Sequence, residues 1–134
     1  MGDALGDRLV LVESRKSMEE ACAALEKSVA DHRFGLLHVH DVTGTLAKKG
    51  VVFDRPVKVF DICNPQQAKK VLDANVLISA VLPCSVSVFR EGDRTRMAFV
   101  RPTVMLGLFE APGLRPVAEE VERSMREIVE AAAR

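Results

Sequence analysis

The chain has no tryptophan and no tyrosine, and only six phenylalanines. Proteins that hold single-stranded nucleic acid commonly stack its bases on such rings, so stacking recognition of bases or sugars has no basis here. Net charge is missing too: 19 basic and 19 acidic side chains cancel. That leaves no large field to draw nucleic acid or an anionic membrane toward the protein, and weak repulsion between copies permits self-association. No apolar run approaches the ~20 residues of a membrane helix. The start, Met1 to Asp7, lacks the basic and apolar segments of a signal peptide, and Gly6 stands where a myristoylation signal has Ser or Thr. Three cysteines, an odd number, do not make a disulfide framework and suit a reducing compartment. The expectation is a soluble, unprocessed, cytoplasmic protein with neither nucleic acid nor membrane as partner. Glycine-rich phosphate loops and the Gly-x-Ser-x-Gly elbow are also missing, which disfavours a doubly wound nucleotide fold and leaves no Ser/His/Asp motif.

What is present is apolar and periodic. With 134 residues, 48% of them hydrophobic, and a mean hydropathy of +0.08, the chain fits one domain, residues 1–134. Leu9-Val10-Leu11-Val12 reads as a strand within Arg8 to Glu13. Ser17 caps a helix whose apolar positions are Met18, Ala21, Cys22, Leu25 and Val29, with Glu20 placed for a capping box. Gly35 closes it, and a strand runs from Leu36 to Val42. Thr43 to Gly50 is a helical turn, and Val57 to Cys63 is the next strand.

Asn64 is a strong N-cap, Pro65 suits the first helical position, and Gln67 is placed to complete the cap. Ala68, Val71 and Leu72 form the narrow apolar stripe of that helix. Asn75 to Leu82 is an apolar link. Cys84 to Arg90 and Arg94 to Val100 make a hairpin about Glu91-Gly92-Asp93. Thr103 to Phe109 is too apolar for a free linker and is expected to rest on the domain or on a partner. The last helix is expected from about Pro116 to Ala133, with Glu119 and Glu120 in its first turn and a stripe of Val117, Val121, Met125, Ile128 and Ala132. This order predicts an α+β domain: a mainly antiparallel sheet with two long helices on one face.

Two cysteines carry the chemical interest. Cys63 ends a strand just ahead of a capped helix, where unpaired backbone N–H groups favour a thiolate. Cys84, after Leu82-Pro83, comes close to it if their strands adjoin. The competing reading is that both fill core space, as Cys22 is expected to do. His38 and His40 alternate on one strand face beside Leu36 and Val42, and suit either two metal ligands or solvent-facing residues. Asp41 falls on the opposite face and is placed to cap Thr43-Gly44-Thr45. Arg90, Arg94, Arg96 and Arg101 cluster around the hairpin, either to meet a phosphate or to keep an edge soluble. No catalytic set, metal or cofactor is named by these residues.

Gly35 with the strand to Asp41-Val42, the Leu46-x-x-x-Gly50 turn, Cys63-Asn64-Pro65-x-x-Ala68, Leu82-Pro83-Cys84, and Pro102 after a hairpin together resemble the prokaryotic family catalogued as domain of unknown function 302. The resemblance covers nearly the whole chain. It implies a TATA-box-binding-protein-like arrangement, strand-helix-four strands-helix, commonly seen as a dimer, and brings no established activity. It directs attention to Asp41, Cys63, Asn64, Pro65, Pro83 and Cys84 as ligand-binding candidates, while His38 and His40 lie outside its pattern. Likeness of fold to a DNA-binding protein is not evidence of DNA binding. The leading expectation is a homodimeric binding or sensing module that engages a small ligand, a soft metal or an oxidant at Cys63 and Cys84. The alternatives are a structural interaction domain, with Thr103 to Phe109 meeting another chain, and a thiol-dependent enzyme, with Cys63 as nucleophile assisted by Asp41 or a histidine.

Overall fold

The computed structural model describes residues 7–134; the reading of Met1 to Gly6 lies outside the described residues. Five strands, β1 (Leu9–Ser14), β2 (Gly35–Asp41), β3 (Val57–Cys63), β4 (Cys84–Glu91) and β5 (Arg94–Val100), form one sheet in the order β1-β5-β4-β3-β2. Every neighbouring pair is antiparallel. Two long helices, α1 (Met18–Asp31) and α5 (Leu114–Ala133), cover one face. Between them in sequence lie α2 (Val42–Lys48), α3 (Pro65–Ala74), a 3-10 helix over Val76–Val81, and α4 (Pro102–Leu106). The domain is α+β, as its sequence pattern predicts. No helix among the described residues is long and apolar enough to cross a membrane.

Alternation in the strands builds the core. Val10, Phe60, Ile62, Val86, Val88, Met97 and Phe99 turn to the helices and meet Ala21, Leu25 and Val29 of α1 and Val121, Met125, Ile128 and Val129 of α5. Burying each of the larger side chains contributes roughly 1.5–3 kcal/mol. The two helices are joined by a buried hydrogen bond in which Ser28 Oγ donates to the Ile128 carbonyl at 2.7 Å. Ser14 Oγ donates to the Ala133 carbonyl at 2.8 Å and Lys16 Nζ to that of Ala132 at 3.0 Å. These bonds occupy carbonyls that the end of α5 would otherwise leave unpaired.

Local chemistry sets the helix ends. Ser17 and Glu20 close the expected capping box on α1, each side chain bonding the other's backbone N–H at 3.1 and 3.0 Å. The far end departs from expectation: Arg33, not Gly35, takes the left-handed conformation, at φ 64. Phe34 N then donates to the Val29 carbonyl and Arg33 N to that of Ala30, both at 3.0 Å, a Schellman closure. Gly35 is free to open β2. The last helix begins earlier than expected, at Leu114 after Gly113 in the left-handed region at φ 75. Pro116 falls inside the first turn, where no backbone donor is required, so Glu119 and Glu120 sit beyond it.

A register shift between Leu36 and His38 corrects the reading of β2. The bulge leaves Leu36 paired with Ile62 on the core side while His38 pairs with Asp61 on the open face, since one extra residue reverses the alternation. The histidines therefore share no face with Leu36. The hairpin arginines do not protect an edge either, because β4 and β5 are interior strands. Arg94 and Arg96 pair with Glu13, Arg96 also with Glu91, and Arg101 with Glu122. Segment 103–109 rests on its own domain, with Leu106 buried against Leu114 and Ala118 of α5.

Candidate functional site

β3 ends and β4 begins at the same end of the sheet, since Ile62 pairs with Cys84. The link between them runs through α3 and the 3-10 helix, and α4 follows β5 at that same end. These short helices form a second apolar cluster of Val71, Ile78, Leu106, Leu114 and Ala118, with Leu72, Val81, Leu82 and Phe109 around it. Between this cluster and the sheet end lies a cavity of about 390 Å³, within the size range of small-molecule sites. Its walls are Phe34, Ile62 and the two cysteines from the sheet end, the Ala68-Val71-Leu72 stripe of α3, and Leu82, Met105 and Val121 from the surrounding elements. None of the lining side chains is charged.

Four of the six sequence candidates meet there: Cys63, Asn64, Pro83 and Cys84 all line the cavity. Both cysteines are half-buried free thiols. Burial pushes the Cys84 thiol up to about 11, and the neighbouring Cys63 adds to the rise. At neutral pH Cys84 is a neutral, soft wall element and not a thiolate. Asn64 is committed to local structure: its Oδ1 accepts from Gln66 N and Gln67 N, both at 3.1 Å. Pro65 takes the first position of α3 and is not a wall residue of the cavity.

Asp41 belongs elsewhere. It stands at the opposite end of β2 from Gly35, which pairs with Cys63. The seven-residue strand spans about 20 Å at ~3.3 Å per residue. Asp41 Oδ1 accepts from Gly44 N at 3.0 Å and caps α2, the local role its sequence position suggests. The histidines lie on the open face. Their rings meet edge to face at 4.4 Å, and His40 Nε2 is 2.7 Å from Asp61 Oδ2. Burial pushes the Asp61 carboxyl up, but hydrogen bonds from Ser85 and His40 and the charge of both histidines outweigh it and hold it below the usual range. Ser85 donates to Asp61 and not to the imidazole, so the trio lacks the base-to-hydroxyl contact of nucleophilic catalysis. Among the described residues no group of three or more His, Cys, Asp or Glu is placed to hold a metal ion.

Gln67, expected to complete the cap, does so only in part. Its backbone joins the cap as expected, but its side chain turns to α5 instead of back to Asn64. Nε2 donates to Glu120 Oε1 at 3.3 Å and to Ser124 Oγ at 3.4 Å. Gln67 is 7% exposed and lines the cavity. A signal was there: Gln67 stands four residues before Val71, on the inward face of α3.

The family model described as "Domain of unknown function DUF302" matches residues 10–132. A solved structure described as an uncharacterized conserved DUF302 protein from Bacillus stearothermophilus is similar at 31% identity with a TM-score of 0.89, covering 94% of this chain and 98% of that one. No curated protein matches. With nearly the full length of the fold matched and the cysteine–proline segments gathered at one sheet end, the chain belongs to the DUF302 family.

Proposed function

We propose that this protein is a binding module for a small, uncharged, mainly apolar molecule, held at the sheet end between Cys63, Cys84 and the short helices. One observation carries the reading: a mainly apolar cavity of about 390 Å³ without a charged wall residue. Excluding charge favours hydrocarbon or aromatic surface, because an unpaired ion would lose its hydration on entering. The cysteines serve this role as soft, polarizable contacts. Cys84 is protonated at neutral pH, and two thiols alone fall short of the usual ligand set for a structural metal.

The test uses the neutral, environment-sensitive fluorophore 6-propionyl-2-dimethylaminonaphthalene. Saturable one-to-one binding with a blue-shifted emission is expected for the wild type. Ala68→Phe, which projects a ring into the cavity from α3, should remove that binding while the thermal transition persists. Absence of saturable binding, or equal binding by the folded Ala68→Phe variant, would overturn the reading.

A further inference from the structure

Cys63 and Cys84 are distant in sequence and adjacent in the sheet. Ile62 pairs with Cys84 and Cys63 is the next residue of β3, so the two α-carbons are diagonal neighbours about 6 Å apart, from a strand spacing of ~4.8 Å and a rise of ~3.3 Å. Two cysteine side chains meet across such a separation. Both residues line the cavity, both are half-buried free thiols, and the charge of Cys63 contributes to the rise at Cys84. Cys22, the third free thiol, packs instead against the main core. An entirely apolar ligand has no need of two thiols side by side.

Charge balance selects what that pair takes up. The polar side chains of the wall, those of Asn64, Gln67 and Ser79, are neutral, and no lining residue is charged. The first N–H groups of α3 are spent as well: those of Gln66 and Gln67 on Asn64 Oδ1, and that of Ala68 on the Asn64 carbonyl. Cu(I) is a metal ion that thiolates favour, but held by two of them it leaves one negative charge unpaired in this surrounding. Zinc takes four ligands. A centre that is neutral before and after it binds two thiols carries neither cost, and trivalent arsenic bearing one organic group is such a centre. We infer that Cys63 and Cys84 form a dithiol site for uncharged, apolar organoarsenic(III) compounds, the arsenic bridging the two sulfurs and the organic group lying along Leu72, Leu82 and Met105. The inference rests on the binding reading above and adds the atom that anchors the ligand. With an arsenic(III) oxide, two S–H bonds break and two As–S bonds form, and both protons leave with the arsenic's oxygen as one water molecule. Arsenic stays trivalent and neither sulfur is oxidised. Cys84 enters as the protonated thiol that this condensation uses.

The test adds phenylarsine oxide to the reduced wild-type protein. One equivalent should protect Cys63 and Cys84 from N-ethylmaleimide, read by peptide mass mapping, and leave Cys22 at its own rate; 2,3-dimercaptopropanol should restore both. Cys63→Ser and Cys84→Ser should each weaken binding about a hundredfold, since a single sulfur loses the gain of linked attachment, while Cys22→Ser leaves it unchanged. Wild type should hold phenylarsine oxide about tenfold more tightly than arsenite, the effect of burying the ring, and Ala68→Phe should erase that preference. Protection of neither cysteine, or of one alone, overturns the dithiol inference; saturable binding of 6-propionyl-2-dimethylaminonaphthalene would then leave the cavity reading standing. Retention of Cu(I) but not of the arsenical also overturns it and assigns the thiols to a metal. Both thiols protected, with arsenite held as tightly as the phenyl compound, overturns the apolar ligand class and the cavity reading with it. Should the serine variants not fold, the wild-type protection map decides.

Discussion

Two apolar regions of this protein are built from the same residue types and end in opposite states. Between the sheet and the long helices, Leu25, Phe60, Met97, Met125 and Ile128 are fully buried against one another. At the sheet end, Val71, Ile78, Leu106 and Leu114 are also buried, yet they border a cavity of about 390 Å³. The difference lies in element length. Helix α5 has 20 residues and α1 has 14, enough to repeat an inward stripe over several turns and interdigitate with alternating strands. The 3-10 helix has 6 residues and α4 has 5, so each offers only one or two inward side chains and cannot fill the space it roofs. Binding space here is a product of short elements closing over a regular frame.

The contrast can be broken first by truncation. Leu25→Ala should cost about 4 kcal/mol, near the upper range for a fully enclosed leucine. Leu82→Ala, half-buried on the cavity wall, should cost about 1.5 kcal/mol because its neighbours already border open space. Urea unfolding of both variants measures the difference, and equal costs would mean that the two regions are packed alike.

A smaller effect should appear at alkaline pH. Burial raises the Cys84 thiol from its ordinary value of 9.0 to about 11, so the folded state holds the proton longer than the unfolded state does. The resulting stability is complete below the unfolded thiol's range and is lost as pH rises toward about 11. Between pH 8 and 11 the wild type should therefore lose about 2 kcal/mol more than Cys84→Ala. The chain has no tyrosine, so no phenol confounds the comparison. Parallel stability curves would place Cys84 in contact with water instead of in the cluster.

Smallest is the cap. Asn64→Ala should lower stability by about 1 kcal/mol, since it removes the acceptor for two backbone donors at the start of α3. If Asn64 acts on the cavity only by holding that helix in place, binding of 6-propionyl-2-dimethylaminonaphthalene should weaken less than threefold. Abolished binding would make Asn64 a direct ligand contact.

Much of this was legible in the residues. The capping box at Ser17, the Asn64-Pro65 start and the glycine-containing hairpin loop involve partners a few positions apart, so local spacing is sufficient to specify them. The Arg33 closure was not legible, because glycine at position 35 is the better left-handed residue and only the path into β2 forces the turn earlier. The bulge after Leu36 was hidden for a related reason: register is a property of two strands, and β2 alone gives no sign of an extra residue. Pro116 misled because proline is accepted anywhere in a first turn.

By itself the sequence determined the α+β class, the frame of five strands and two long helices, and the capped start at Asn64, since each follows from periodicity and short-range hydrogen bonding. Tertiary structure alone decided that Cys63 and Cys84 would share a cavity, that Asp41 would stand at the other end of the sheet, and that Gln67 would turn to α5. Those outcomes depend on which strands adjoin and on which backbone and side-chain groups distant segments leave unpaired, and no local pattern along one chain encodes that.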